Sequence, residues 1–131
     1  MEKQIYTWAQ FDEDIPKIAE WAKERHFQSV YGIPRGGLVI AVALSHALDI
    51  PVIISKNDIT KRTLIVDDIV DTGGTMERLL ASLGTGFKTA SIFFKPGARF
   101  TPDHYIREKT LFVKFPWETL RSARYDGTPQ N

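Results

Sequence analysis

Apolar positions along the chain follow two periods, one helical and one suited to buried strands. Phe11, Ile15, Ile18, Ala19 and Ala22 recur at helical spacing and predict a helix over residues 11–26. Asp12, Glu13 and Asp14 crowd its expected start, where the helix dipole favours acids. Ser29-Val30-Tyr31-Gly32-Ile33 reads as a short strand that runs into the turn Pro34-Arg35-Gly36-Gly37 and then a helix over 38–48. Strands are predicted at 51–54, 63–66, 89–94 and 111–115, and a helix runs from about Thr75 to Leu83, closed by Gly84 and Gly86. The run Thr63-Leu64-Ile65-Val66 has the composition of a strand buried on both faces. Strands alternating with helices predict an α/β fold with a central, mainly parallel sheet flanked by helices. At 131 residues the chain is expected to be one domain, with a loose polar tail over 119–131.

Composition narrows the picture mostly by exclusion. With no cysteine, disulfides and thiolate metal sites are ruled out. A net charge of +1 gives no electrostatic reason to expect nucleic acid or an acidic membrane as partner. The N-terminal stretch lacks the apolar run of a signal peptide, and nothing approaches the roughly 20 apolar residues that span a bilayer. A soluble, cytoplasmic protein is expected.

Ligands of parallel α/β sheets sit at the carboxyl ends of strands, and both glycine-containing turns fall there. The strand at 63–66 delivers Asp67 and Asp68 to its end, where carboxylates suit sugar hydroxyls and can hold Mg²⁺. Asp71-Thr72-Gly73-Gly74-Thr75 then opens a helix. Amides at a helix start attract phosphate, glycines let a ligand approach, and Thr72 and Thr75 add hydroxyls. Alone, the Gly-Gly pair is a turn with a helix cap and the acid pair is commonplace. Together they point to a phosphate beside a diol, as in a ribose 5-phosphate.

Alone, the turn at Arg35, Gly36 and Gly37 is equally a strand-to-helix connection with a surface arginine or an anion site; beside the first motif it reads as a second anion site, with free amides and one guanidinium. Lys95 ends the strand at 89–94 and carries only donors; it is either a solvated lysine, the commoner case, or a partner for an acceptor such as a purine O6. Phe112, Phe115 and Trp117 supply flat rings that serve either a core or a base.

The segment from Leu64 to Thr75 resembles the phosphoribosyl-pyrophosphate (PRPP) signature of type I phosphoribosyltransferases. Pro34-Arg35-Gly36-Gly37 is similar to that family's pyrophosphate loop, in which the peptide before the arginine can be cis. Tyr6-Thr7-Trp8, the stretch from Ile92 to Gly97, Tyr105 and Pro116-Trp117-Glu118 look like the bacterial xanthine-guanine branch of the 6-oxopurine group. The resemblance implies a small C-terminal hood from about residues 95–118. It implies that Asp67 and Asp68 contact the ribose and Mg²⁺, and that Asp71, Thr72, Gly73, Gly74 and Thr75 hold the 5-phosphate. Asp71 becomes the proton acceptor near purine N7. Arg35, Gly36 and Gly37 contact pyrophosphate. Lys95, Phe112, the Val113 backbone and Glu118 hold the base. The implied substrates are PRPP and guanine, xanthine or hypoxanthine, and the implied assembly is a homodimer or homotetramer.

One segment departs from the pattern. Between Ile54 and Thr63 there are only eight residues, where relatives carry a long hairpin that closes over PRPP. Two other readings therefore stand beside the enzyme: a regulatory protein that binds PRPP or a nucleotide, and a transferase for another base.

Overall fold

The computed structural model describes residues 2–119; residues 120–131, which make up nearly all of the expected polar tail, lie outside the described residues. In chain order the elements are β1 (Lys3–Ile5), α1 (Trp8–Lys23), β2 (Ser29–Gly32), α2 (Gly36–Leu48), β3 (Val52–Ile53), β4 (Thr63–Val70), α3 (Gly74–Leu83), β5 (Lys88–Phe94), β6 (His104–Glu108) and β7 (Phe112–Lys114). A five-stranded sheet has the order β3-β2-β4-β5-β6, and every neighbouring pair in it is parallel. The expected parallel α/β architecture is the one observed. Among the described residues, no helix is long and apolar enough to cross a membrane.

Alternate residues of each strand face opposite sides of the sheet. Val30, Leu64, Val66, Ala90 and Ile92 face one side and pack with Ile18, Ile40 and Leu44 of α1 and α2. Tyr31, Ile33 and Ile65 face the other and pack with Met76 and Leu79 of α3. Leu64, Ile65 and Val66 are fully buried, as their unbroken apolar run predicts. Each such side chain stabilises the fold by roughly 1.5–3 kcal/mol relative to exposure.

The structure corrects several boundaries. α1 begins at Trp8, because Thr7 and Gln10 form a reciprocal capping box that starts the helix earlier than the apolar spacing indicates. Its first turn therefore holds no acid, and Asp14 turns into the core. β4 continues to Val70, past the predicted end at Val66. The strand predicted at 111–115 is β7, and it pairs not with the main sheet but with β1 in a separate two-stranded parallel sheet. β1 and β6 were not predicted. β1 has three residues, and β6 (His-Tyr-Ile-Arg-Glu) is a half-buried edge strand without an apolar alternation.

The small sheet is fastened to the main one through the Asp14 carboxylate. Asp14 is fully buried; its Oδ2 accepts from Tyr6 Oη at 2.6 Å and from Arg107 Nε at 2.7 Å. Arg107 Nη2 donates to Oδ1 at 3.2 Å. Tyr6 follows β1, its amide donates to Lys114 O, and its ring meets Phe93 and Phe115 edge-on. Burial, then the adjacent Asp14 carboxylate, holds the Tyr6 hydroxyl well above its ordinary pKa, so it remains a donor. Replacing Asp14 with alanine should lower unfolding free energy by about 3 kcal/mol, the scale of breaking a buried ion pair. Urea denaturation reads this directly, and a loss under about 1 kcal/mol would show that the network is not a structural tie.

Candidate active site

The site lies where the sheet separates. β2 and β4 pair from Ser29↔Thr63 to Gly32↔Val66, and Ile33 N donates to Val66 O at 2.9 Å as the last rung. The chain then turns away at Pro34, through a cis peptide to Arg35. β4 runs on, still paired to β5 as far as Val70↔Phe94. Alternate residues of a parallel strand address the same neighbour, so the Asp68 N–H faces the side that β2 has vacated. The Asp67 carboxylate accepts it at 2.8 Å. The acid pair thus sits inside a strand, at the start of its uncovered edge, and not on a curl beyond the strand.

A cavity of about 560 Å³ occupies this opening. Its walls include Pro34, Arg35 and Gly36 from the turn before α2, and Asp67, Asp68, Ile69 and Val70 from β4. Asp71, Thr72, Gly73, Thr75 and Met76 form the end leading into α3, and Lys109, Phe112, Trp117 and Glu118 form the opposite end. A Cβ on Gly36 would overlap the Asp68 carboxylate, so glycine there lets the turn lie directly on the acid pair.

The loop at the start of α3 is braced from behind. Gly73 takes a left-handed φ of 90°, and a Cβ on it would lie 2.6 Å from Phe100 N. Arg99 N donates to Thr72 O at 2.9 Å, so the segment after β5 supports the turn. The Gly74 amide donates to Thr72 Oγ1 at 3.2 Å, and Gly74 is absent from the cavity lining. That amide, expected to be offered to phosphate, is met by the loop's own hydroxyl.

At the far end, Asp71 Oδ2 accepts from Lys109 Nζ at 2.9 Å. Its Oδ1 is buried and has no hydrogen-bond partner among the described residues. Trp117 stacks on Phe115 with centroids 4.8 Å apart and planes 8° from parallel, while Phe112 is half exposed at the rim. Glu118 Oε1 accepts from Phe115 N at 2.8 Å, closing the turn that carries Trp117.

The structure therefore brings Arg35, Gly36, Asp67, Asp68, Asp71, Thr72, Gly73, Thr75, Phe112 and Glu118 to one cavity. It leaves four expected residues outside the lining. Gly37 donates its amide to Ile33 O within the turn, and Val113 is buried in β7 opposite Gln4. Gly74 is held as described, and Lys95 is exposed on the loop after β5. Lys109 was missed because Arg-Glu-Lys-Thr reads as solvated surface, and only the β5–β6 pairing turns it inward.

The short segment between β3 and β4 folds into a compact turn. It contains a single 3₁₀ turn at Lys56–Asp58, its Ile59 is buried, and Arg62 Nη2 donates to His26 O. None of it lines the cavity.

Comparison with known proteins matches residues 54–121, just over half of the chain, to the phosphoribosyl transferase domain. A xanthine-guanine phosphoribosyltransferase from Nitratidesulfovibrio vulgaris is 29% identical, over 86% of this chain and 83% of its own. The enzyme of that name from Cereibacter sphaeroides is 32% identical, over 86% and 84%. The crystal structure of a purine phosphoribosyltransferase from Pyrococcus horikoshii is 32% identical and superposes with a TM-score of 0.79, covering 95% of this chain and 100% of that one. Parallel sheet, split-strand cavity and family match agree, and the chain belongs to the phosphoribosyl transferase domain family with the type I fold. It is an enzyme of the phosphoribosyltransferase class.

Gly73→Ala should cost about 1–3 kcal/mol through its left-handed backbone and the clash with Phe100. It should also weaken binding of ribose 5-phosphate. Calorimetric titration beside a denaturation curve checks both, and unchanged values for each would mean the loop tolerates a Cβ.

Proposed function

We propose that the protein transfers the phosphoribosyl group of PRPP to N9 of a 6-oxopurine, giving a nucleoside monophosphate and pyrophosphate in purine salvage. The observation that carries this is the half-exposed Asp71 carboxylate, which lines a cavity whose other walls are suited to a sugar phosphate and a flat ring. The helix start at Gly73 and the Thr72 and Thr75 hydroxyls suit the 5-phosphate, and Arg35 suits the pyrophosphate. The similarity to enzymes named for xanthine and guanine supports the choice of base.

In the reaction the N9 lone pair forms a bond to the anomeric carbon. The bond from that carbon to the pyrophosphate oxygen breaks, and pyrophosphate leaves with the electron pair. The imidazole proton of the base passes to the Asp71 carboxylate. Positive charge that develops on the ribose ring is stabilised by the nearby carboxylates. Asp67 and Asp68 suit Mg²⁺. That ion commonly takes one or two carboxylates together with substrate phosphates, and no group of three ligating side chains occurs among the described residues. Those two acids would hold it, and it would supply neutralisation of phosphate charge.

A second reading, a regulatory protein that binds PRPP or a nucleotide, is favoured by one feature: the compact 55–62 turn supplies no lid over the cavity. In the enzyme reading a partner subunit of a homodimer or homotetramer would give that cover.

The two readings separate in one assay of purified protein with PRPP, Mg²⁺ and each of guanine, hypoxanthine, xanthine, adenine and uracil. Product is expected with the 6-oxopurines. PRPP binding without product from any base would favour the regulatory reading. Asp71→Asn should lower kcat by about 10²–10⁴-fold, the ordinary contribution of a general base, with a much smaller change in PRPP affinity. Equal losses in both would remove Asp71 from the proton transfer.

A further inference from the structure

Resting on the reading that a sugar phosphate sits at the start of α3, we infer that Arg99 is a positioning residue for that phosphate, acting from behind the loop to hold its shape and to offset the charge of Glu77. Thr72, Gly73 and Thr75 form the cavity side of the loop, whereas Gly74, Arg78 and Arg99 take no part in the cavity wall. Arg99 N donates to Thr72 O at 2.9 Å. Phe100, the next residue, lies against Gly73, where a Cβ would come within 2.6 Å of Phe100 N. The Arg99 side chain then folds over Gly74: a Cβ there would stand 2.9 Å from Arg99 Nη2 and 3.2 Å from Arg78 Nη1. Arg99 Nε lies 3.8 Å from Glu77 Oε1. One residue of the connection between β5 and β6 thus meets the loop through its backbone and the first turn of α3 through its side chain.

Charge gives this contact its function. An anion at a helix start is favoured by the dipole and by the amides there. Here the Gly74 amide is met by Thr72 Oγ1, and Gly73 caps α3 without a side-chain hydrogen bond. Glu77, an acid in the first turn, competes for the same dipole: it steadies the helix but repels an incoming phosphate. Arg99 answers both demands. Its guanidinium pairs with Glu77 and brings a positive charge against Gly74, whose neighbours Gly73 and Thr75 line the cavity. Both side chains are largely exposed, at 65% for Arg99 and 50% for Glu77, so the effect is modest and salt-sensitive. Arg99 works through the loop and not by touching substrate, because it does not reach the cavity.

The test measures ribose 5-phosphate binding by calorimetric titration, and KM for PRPP against kcat. The chains compared are wild type, Arg99→Gln, Arg99→Lys, Glu77→Gln and the double variant Arg99→Gln/Glu77→Gln. Arg99→Gln should weaken ribose 5-phosphate by about 3- to 10-fold, the scale of one charge acting at a helix start. It should raise KM for PRPP in proportion and leave kcat nearly unchanged, as loss of uniform binding requires. Arg99→Lys, which keeps the charge, should retain most of the affinity. Glu77→Gln should bind at least as tightly as wild type, and in the double variant it should restore much of what Arg99→Gln loses. Raising salt from about 0.05 to 0.5 M should narrow the gap between wild type and Arg99→Gln, since screening then acts within a few ångströms. The assignment is overturned when Arg99→Gln binds like wild type, or when the double variant is as weak as the single one at every salt concentration. Should Arg99→Gln fail to fold, Glu77→Gln decides alone: affinity below that of wild type overturns the charge assignment. A wild type that binds no ribose 5-phosphate overturns the reading of the phosphate loop itself, and that failure is seen before any variant is made.

Discussion

The site depends on β4 outrunning β2. A strand whose neighbour departs must satisfy its backbone groups by other means, since buried amides and carbonyls rarely go without partners. Here the last rung is Ile33 N to Val66 O, and the next amide on that side, Asp68 N–H, is taken by the Asp67 side chain. The same separation leaves an opening bounded by a strand edge, a turn and a helix start. Acids lie along one wall, and amides and hydroxyls lie at one end. Polar chemistry collects there because the sheet has ceased to consume it.

A second constraint sets the opposite wall. Phe112, Trp117 and Glu118 belong to the small sheet and the turn after it, which have no strand in common with the main sheet. Their position is inherited from Tyr6 and Asp14, and through Asp14 from Arg107 on β6. Because the Asp14 carboxylate is sealed from water, it tolerates little displacement of either donor. Residues at both ends of the chain are in this way registered against the phosphate end of the cavity.

Much of this was legible in the sequence, and the reasons are physical. The apolar run from Leu64 to Val66 needs burial on both faces, which only a central parallel strand gives, and the acid pair and glycine loop follow it without a gap. Short-range signals of that kind survive folding. What stayed hidden depended on pairing between distant segments. β1 becomes a strand only because β7 lies beside it, and Lys109 faces the cavity only because β6 adds to β5. The beginning of α1 was misplaced because a polar cap, Thr7 with Gln10, overrode the apolar spacing. Lys95 carried the stronger motif, yet it lies past the end of β5 on an exposed loop, where a lysine meets water.

The contact between Gly36 and Asp68 has a consequence for how such a chain diverges. The turn before α2 and the acid pair on β4 are far apart in sequence but share one volume, since any side chain at position 36 would need the space of the Asp68 carboxylate. A change at position 36 is conditioned by the acid at 68. Shrinking the acid would have to come first, and that step sacrifices one wall of the cavity before the turn gains any freedom. A chain that keeps the acid in this position therefore favours glycine in the turn, while glycine in the turn places no matching demand on the acid.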